Sequence, residues 1–207
     1  MRRIMTILEL IASVMGLLSV WLTVRQNIWC WPAGLVMVLL YAWIFAAAKL
    51  YSDAGLQVVY VVLSVYGWIH WARGGPRDNG LPVTVLSDRS RALWAAATLA
   101  AAAALGTATS AWTDASMPYA DALITCMSLT AQWLLARKKV ESWWLWIAVD
   151  VLAVGVFLHK GLYVTSGLYA VFLVLAALGL RSWTRSLEPA AGSFSGSSCP
   201  RMLGTSS

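Results

Sequence analysis

The residues best suited to chemistry lie in Trp143-Trp144-Leu145-Trp146-Ile147-Ala148-Val149-Asp150, where tryptophans three apart are followed by a carboxylate in an otherwise apolar run. In a helix Trp143, Trp146 and Asp150 share one face, because residues three and four apart are neighbours. Asp150 sits about nine residues into that segment, roughly 13 Å deep, near the middle of a hydrocarbon core about 30 Å thick. A charge at that depth is tolerated where it faces protein or a wet cavity, and by default it marks a ligand or ion pathway. Indole faces attract cations and offer flat surfaces to flat rings. The chemistry expected is recognition of a flat, cationic solute, with no covalent step.

Composition supplies the setting. The chain has 207 residues, 60% hydrophobic and only 12% charged, with a mean hydropathy of +0.70. Apolar runs this long and frequent define a polytopic membrane protein. Thirteen tryptophans suit interfacial belts and aromatic sites. The net charge of +6 does not indicate nucleic acid, because the basic residues cluster between apolar runs and form no aromatic-interleaved stripe. Cys30, Cys126 and Cys199 are far apart and form no CxxC or Cys/His spacing, so neither a disulfide frame nor a metal site is indicated. No cofactor is expected.

Apolar segments run from about Ile4 to Val24, Ile28 to Leu50, Ala54 to Ala72, Ala92 to Ala111, Met117 to Ala136, Trp143 to His159 and Leu162 to Trp183. Each is long enough, or nearly so, to cross as a helix, which predicts seven spans. The stretch Arg73-Gly74-Gly75-Pro76-Arg77-Asp78-Asn79-Gly80 breaks any helix, and the small, polar tail after about Glu188 reads as disordered. Seven spans put Arg25, Arg73, Arg77, Arg89, Arg91, Arg137, Lys138, Lys139, Arg181, Arg185 and Arg201 on one membrane face, against Arg2, Arg3, Lys49 and Lys160 on the other. That imbalance places the N-terminus outside and the C-terminus in the cytoplasm.

The chain also repeats. A shift of 112 residues superimposes Trp21 on Trp133, Arg25 on Arg137, Trp31 on Trp143, Phe45 on Phe157, Tyr51 on Tyr163, Gly67 on Gly179, Trp71 on Trp183 and Arg73 on Arg185. Three helices are duplicated and the fourth is a connector. One extra span restores the orientation of the second copy, so the repeats are parallel and related by an axis along the membrane normal. The architecture expected is all-α: a first three-helix bundle over 1–75, a loop and linker helix over 76–112, a second bundle over 113–185, and a cytoplasmic tail over 186–207. In such carriers the substrate sits between the repeats near the midplane.

Polar stripes support that placement. On the fifth span Asp121, Thr125, Ser128 and Gln132 are spaced by four, three and four, one face of a helix. Their repeat mates are Glu9, Ser13, Gly16 and Val20. Gln57, Tyr60 and Ser64 form a similar stripe on the third span, and Trp31 and Tyr41 roughly share a face on the second. The candidate binding set is therefore Trp143, Trp146, Asp150, Gln132, Gln57, Tyr60, Tyr41, Trp31, Ser128 and Thr125. Glu9 and Asp121 lie within two turns of the outer surface, where an acid reaches water. The Ala-rich fourth span suits close packing, and His70 and His159 have no partner in sequence.

These residues resemble the PnuC-type vitamin transporters. The family's WxxWxxx(N/D) signature stands here as Trp143, Trp146 and Asp150. Asn27-Ile28-Trp29-Cys30-Trp31-Pro32-Ala33-Gly34, Leu50-Tyr51-Ser52-Asp53-Ala54-Gly55-Leu56-Gln57 and Tyr66-Gly67-Trp68 are also typical of it. The likeness runs to about Trp183 and stops at the tail. It implies a seven-helix carrier of two three-helix bundles, like a sugar-transporting SWEET without its Pro-Gln loop motif, commonly a homotrimer in the bacterial inner membrane. It implies uptake of nicotinamide riboside by facilitated diffusion and alternating access, with trapping by a cytoplasmic kinase that feeds NAD biosynthesis. Relatives carry thiamine, riboflavin or deoxynucleosides. The motif tryptophans and Asp150 would contribute to the site.

Rival classes fit less well. A retinal protein requires a lysine in the seventh span, and none lies between Leu162 and Trp183. A membrane enzyme requires clustered His, Cys or carboxylate groups at one face, which two lone histidines do not supply. A thiamine carrier of the same fold remains the nearest alternative, because a thiazolium and a pyridinium make the same demands on a site.

Overall fold

The computed structural model describes residues 2–74, 81–113, 117–159 and 161–187. It is all-helical: α1 (Arg2–Val24), α2 (Cys30–Ala47), α3 (Tyr51–Arg73), α4 (Asp88–Trp112), α5 (Pro118–Ala136), α6 (Glu141–His159) and α7 (Tyr163–Arg185). Six of these are long and apolar enough to cross a membrane. The other is α5, the helix carrying Asp121, Thr125, Ser128, Thr130 and Gln132. Its polar residues are sheltered by neighbours, since α5 packs against α3, α4 and α6. The proposed tail beyond Leu187 lies outside the described residues, as do Arg77, Lys160 and Arg201 of the charge pattern.

Several helix ends differ by a few residues from the apolar segments, for a local reason. α4 begins at Asp88 because the Ser87 hydroxyl caps it, accepting from the Ser90 amide, and an acid in the first turn complements the helix dipole. Pro118 opens α5, where its missing N–H costs nothing.

The corners carry the duplication into three dimensions. α1 ends with Gln26 at φ 56° and α5 with Lys138 at φ 53°. In both, the amide three residues beyond the helix bonds back five residues, Asn27 to Leu22 and Lys139 to Leu134, each at 2.9 Å. α2 and α6 close the same way with Lys49 (φ 60°) and Gly161 (φ 73°), through Leu50 to Phe45 and Leu162 to Phe157. These left-handed closures satisfy the last helical carbonyls and reverse the chain sharply.

The helices pack in the order α1, α2, α3, α5, α6, α7 and back to α1, a ring in which α3–α5 and α7–α1 are equivalent joints between the bundles. The connector α4 lies outside the ring against α5, fastened by a 2.8 Å bond between the Thr98 and Thr130 hydroxyls and by Gly106 against the Tyr119 ring. The largest buried cluster gathers Cys30, Trp31, Trp71, Leu135, Val140, Trp143 and Trp183. It sits at the end where α1, α3, α5 and α7 finish, the end rich in arginine and lysine. We call it the basic end.

Within that cluster Trp31 meets Trp71, and Trp143 meets Trp183, edge to face at 5.4 Å and 88° in both cases. Gly67 and Gly179 make room for the Trp31 and Trp143 rings, which a Cβ would enter. Arg25 lies over Trp21 at 4.3 Å and Arg137 over Trp133 at 4.8 Å. Gly67→Ala and Gly179→Ala are each expected to cost about 1–3 kcal/mol by overpacking. Gly55→Ala and Gly167→Ala, an equivalent pair with open space around them, are expected to leave the melting temperature in detergent unchanged or slightly raised.

Candidate functional site

At mid-height each ring helix contributes one polar side chain to the centre. Ser13 on α1 meets Tyr41 on α2 at 3.3 Å, and Tyr60 on α3 meets Ser128 on α5 at 2.6 Å. Asp150 on α6 and Tyr169 on α7 complete the set. The Asp150 carboxylate and the Tyr60 and Tyr41 hydroxyls all lie within electrostatic reach of the Tyr169 phenol.

The hydrogen-bond directions follow from what each serine does with its proton. Ser13 Oγ donates to the Glu9 carbonyl, and Ser128 Oγ donates to the Thr125 carbonyl, both at 2.9 Å. Each serine therefore accepts from its tyrosine, and the Tyr41 and Tyr60 oxygens keep lone pairs for a further donor. Asp150 is only 4% exposed and makes no hydrogen bond or ion pair with another described residue. Such a group is an acceptor awaiting a cation or hydroxyls.

Aromatic rings wall this centre. Phe157 stacks on Tyr169 at 5.2 Å, Phe172 meets Tyr169 edge to face at 6.1 Å, and Tyr41 stacks on Phe45 at 5.7 Å.

The polar groups break the symmetry that the frame keeps. A 112-residue shift turns Tyr60–Ser128 into Phe172–Gly16, the matching contact at the other joint; a Cβ at Gly16 would touch the Phe172 ring tip at 3.6 Å. The mate of Asp150 is the buried Val38, and that of Tyr169 is Gln57.

The sequence-derived candidates fall into two groups. Asp150, Tyr60, Tyr41 and Ser128 come together at the centre. Thr125 takes part through its backbone carbonyl. Gln57 and Gln132 are half-buried on α3 and α5 and make no hydrogen bond with another described residue. Trp31 and Trp143 stand apart, 3% and 2% exposed in the tryptophan cluster at the basic end, and Trp146 is half-buried against that cluster. Sharing a helical face with Asp150 does not bring the Trp143 ring into the polar centre, because Gly179 and Trp183 enclose it.

Tyr169 was missed, although its spacing of three from Phe172, and its correspondence to Gln57 on a polar stripe, could have flagged it. A cavity of about 620 Å³ lies elsewhere, on the outer side between α4, α5 and α6, lined by Trp94, Leu99, Met127, Leu134 and Trp144 among others. It does not reach Asp150. Among the described residues no cluster of His, Cys, Asp or Glu has the arrangement of a metal site.

Apolar helices in a duplicated ring, with one polar side chain from each meeting at mid-height, define a multi-pass membrane protein of two parallel repeats with a polar centre between them. The family model described as "Nicotinamide mononucleotide transporter" matches residues 6–185, and the chain belongs to that family, the PnuC-type vitamin transporters. The riboflavin/roseoflavin transporter RibM of Streptomyces davaonensis is 29% identical over 178 residues, covering 84% of this chain and 83% of that protein. The nicotinamide riboside transporter PnuC of Escherichia coli is 26% identical over 204 residues, covering 86% and 85%. The crystal structure of the vitamin B3 transporter PnuC superimposes with a TM-score of 0.71 at 25% identity, covering 88% of this chain and 82% of that one.

The broken symmetry is measurable. Tyr60→Phe removes one hydrogen bond and leaves Ser128 satisfied by Thr125, so thermal unfolding in detergent should register a loss of about 1 kcal/mol. Phe172→Tyr brings a hydroxyl to Gly16, which has no side chain to receive it, at an expected cost of about 1–3 kcal/mol.

Proposed function

We propose that this chain carries nicotinamide riboside into the bacterial cytoplasm by facilitated diffusion, rocking its two repeats around the Asp150 centre. The observation that carries the reading is the buried carboxylate of Asp150, which has no hydrogen-bond or ion-pair partner among the described residues. A pyridinium nucleoside brings a fixed positive charge to it, a flat ring to the aromatic walls, and ribose hydroxyls that donate to the free lone pairs of Tyr41 and Tyr60. The amides of Gln57 and Gln132 suit the carboxamide, and Trp146 and Trp143 follow on the same helix toward the basic end. A cytoplasmic kinase then traps the vitamin by phosphorylation. The arginine-rich end faces the cytoplasm, and the assembly is a homotrimer, as the family resemblance implies.

A second reading is riboflavin transport, favoured by the 29% identity to RibM and by the run of phenol and phenyl rings beside Asp150, which suits a broad neutral ring system. Charge separates the two. In proteoliposomes, Asp150→Asn keeps the shape of the site and removes its charge; uptake of labelled nicotinamide riboside should fall at least about tenfold, the equivalent of ~1.4 kcal/mol, whereas a neutral flavin should be carried nearly as before. Uptake of nicotinamide riboside that survives Asp150→Ala would overturn the proposal.

A ligand panel gives an independent reading without transport. Nicotinamide riboside at about 100 times its Kd should raise stability by about 2.7 kcal/mol; if thiamine or riboflavin stabilises the protein and nicotinamide riboside does not, the substrate is reassigned accordingly.

A further inference from the structure

Four indoles form a chain across the basic end in the order Trp31, Trp71, Trp183, Trp143. The inner two exchange partners between the bundles. Trp71, in the last turn of α3, donates its indole N–H to the Leu135 carbonyl on α5 at 3.2 Å. Trp183, in the last turn of α7, donates to the Thr23 carbonyl on α1 at 3.1 Å. Donors and acceptors are both related by the repeat shift, since 183 − 71 and 135 − 23 each give 112. Each bundle therefore lends a tryptophan to the other, and the two rings meet at 5.9 Å. Both are buried, Trp71 to 4% exposure and Trp183 to 0%. The outer pair, Trp31 and Trp143, carry buried indole N–H groups with no acceptor among the described residues, so the hydrogen bonds described across this indole chain come from the inner pair.

We infer that the crossed indole bonds of Trp71 and Trp183 are the closure of the basic end, and that release on that side requires both to break together. A solute held at the polar centre cannot leave toward this end while α3–α5 and α7–α1 are joined here by sealed rings. Because the two bonds straddle one pseudo-two-fold axis, a rocking motion that parts the bundles lengthens both at once. This rests on the alternating-access reading above and assigns Trp71 and Trp183 as positioning residues that act through the helix ends they hold.

Cys30 provides the test. It lies in the same cluster at 3% exposure, and parting the bundles uncovers it. With Cys126 and Cys199 changed to serine, a membrane-impermeant maleimide is applied from the side bearing the C-terminus and the labelling rate is followed in the absence of any vitamin. Trp71→Phe and Trp183→Phe keep an aromatic ring and remove only the N–H. Each should speed labelling of Cys30 about fivefold and the pair about 25-fold, the effect of one and two buried hydrogen bonds on an opening equilibrium. Cys126, on α5 away from this end, is read in a Cys30→Ser background and should keep its wild-type rate. Unchanged labelling of Cys30, or equal acceleration of both thiols, would overturn the assignment; the latter would mark general loosening. Where the double variant does not fold, either single variant carries the same test. Accelerated Cys30 labelling in a protein that carries no nicotinamide riboside would refute the substrate and leave the closure standing.

Discussion

A carboxylate at half the depth of a bilayer must face protein, and that constraint governs how these helices pack. An unpaired charge in hydrocarbon is expensive, and loop backbone at that depth would add unsatisfied amides and carbonyls. The structure meets both demands with continuous helices arranged in a ring, and Asp150 points into the interior that the ring creates. Once that interior exists, every ring helix has a face away from lipid, and the polar residues of α5 find shelter there. The fold and the site are two consequences of one burial problem.

The duplication explains how such an interior arises from simple parts. Two three-helix units with the same left-handed corners, the same tryptophan-against-glycine contacts and the same arginine-over-indole pairs meet along two equivalent joints. Identical units alone would line the centre with identical groups. The copies differ at the polar centre: Asp150 against Val38, Tyr169 against Gln57, Tyr60–Ser128 against Phe172–Gly16. The frame residues are kept in both repeats because each performs the same packing task twice.

Much of this was legible in the sequence, and the limits have physical causes. Helix number, repeat offset and connector followed from apolar runs and from paired Trp, Gly and Arg, which chance in apolar sequence does not supply. Asp150 followed from a charge at depth, Tyr60 and Ser128 from polar stripes at helical spacing, and Tyr41 from the face it shares with Trp31. Periodicity did not separate Trp143 from the polar centre, because a helical face spans many ångströms of height and an indole can turn toward the next turn or toward a neighbouring helix. Whether it lines a site or fills a core depends on the residue opposite, here Gly179, which is near in space and distant in the chain. Tyr169 was overlooked for a similar reason: a tyrosine in an apolar helix reads as packing until the acid on the neighbouring helix gives its hydroxyl a role.

The linker adds an asymmetry that the repeat does not contain. Residues 81–86 lie along the α5–α6 corner: Thr84 bonds through its amide to Lys138 and through its carbonyl to Val140, each at 3.1 Å, and Lys138 Nζ reaches the Leu81 carbonyl at 2.7 Å. Glu141 accepts from the Leu86 amide and from Arg91, which carries the strap onto α4. Burial holds the Lys138 ammonium below the ordinary lysine range, yet its carbonyl bond and its place 4.7 Å over the Trp71 ring compensate the charge. The equivalent α1–α2 corner has Gln26 in place of Lys138 and meets α7 and Ser186 instead. The second bundle and α4 are thus tied into one body through backbone bonds, while the first bundle is held to that body at this end by side chains. The hydrogen bonds that cross the two joints there, between the first bundle and this strapped unit, are made by side chains of Gln26, Trp71, Ser182 and Trp183.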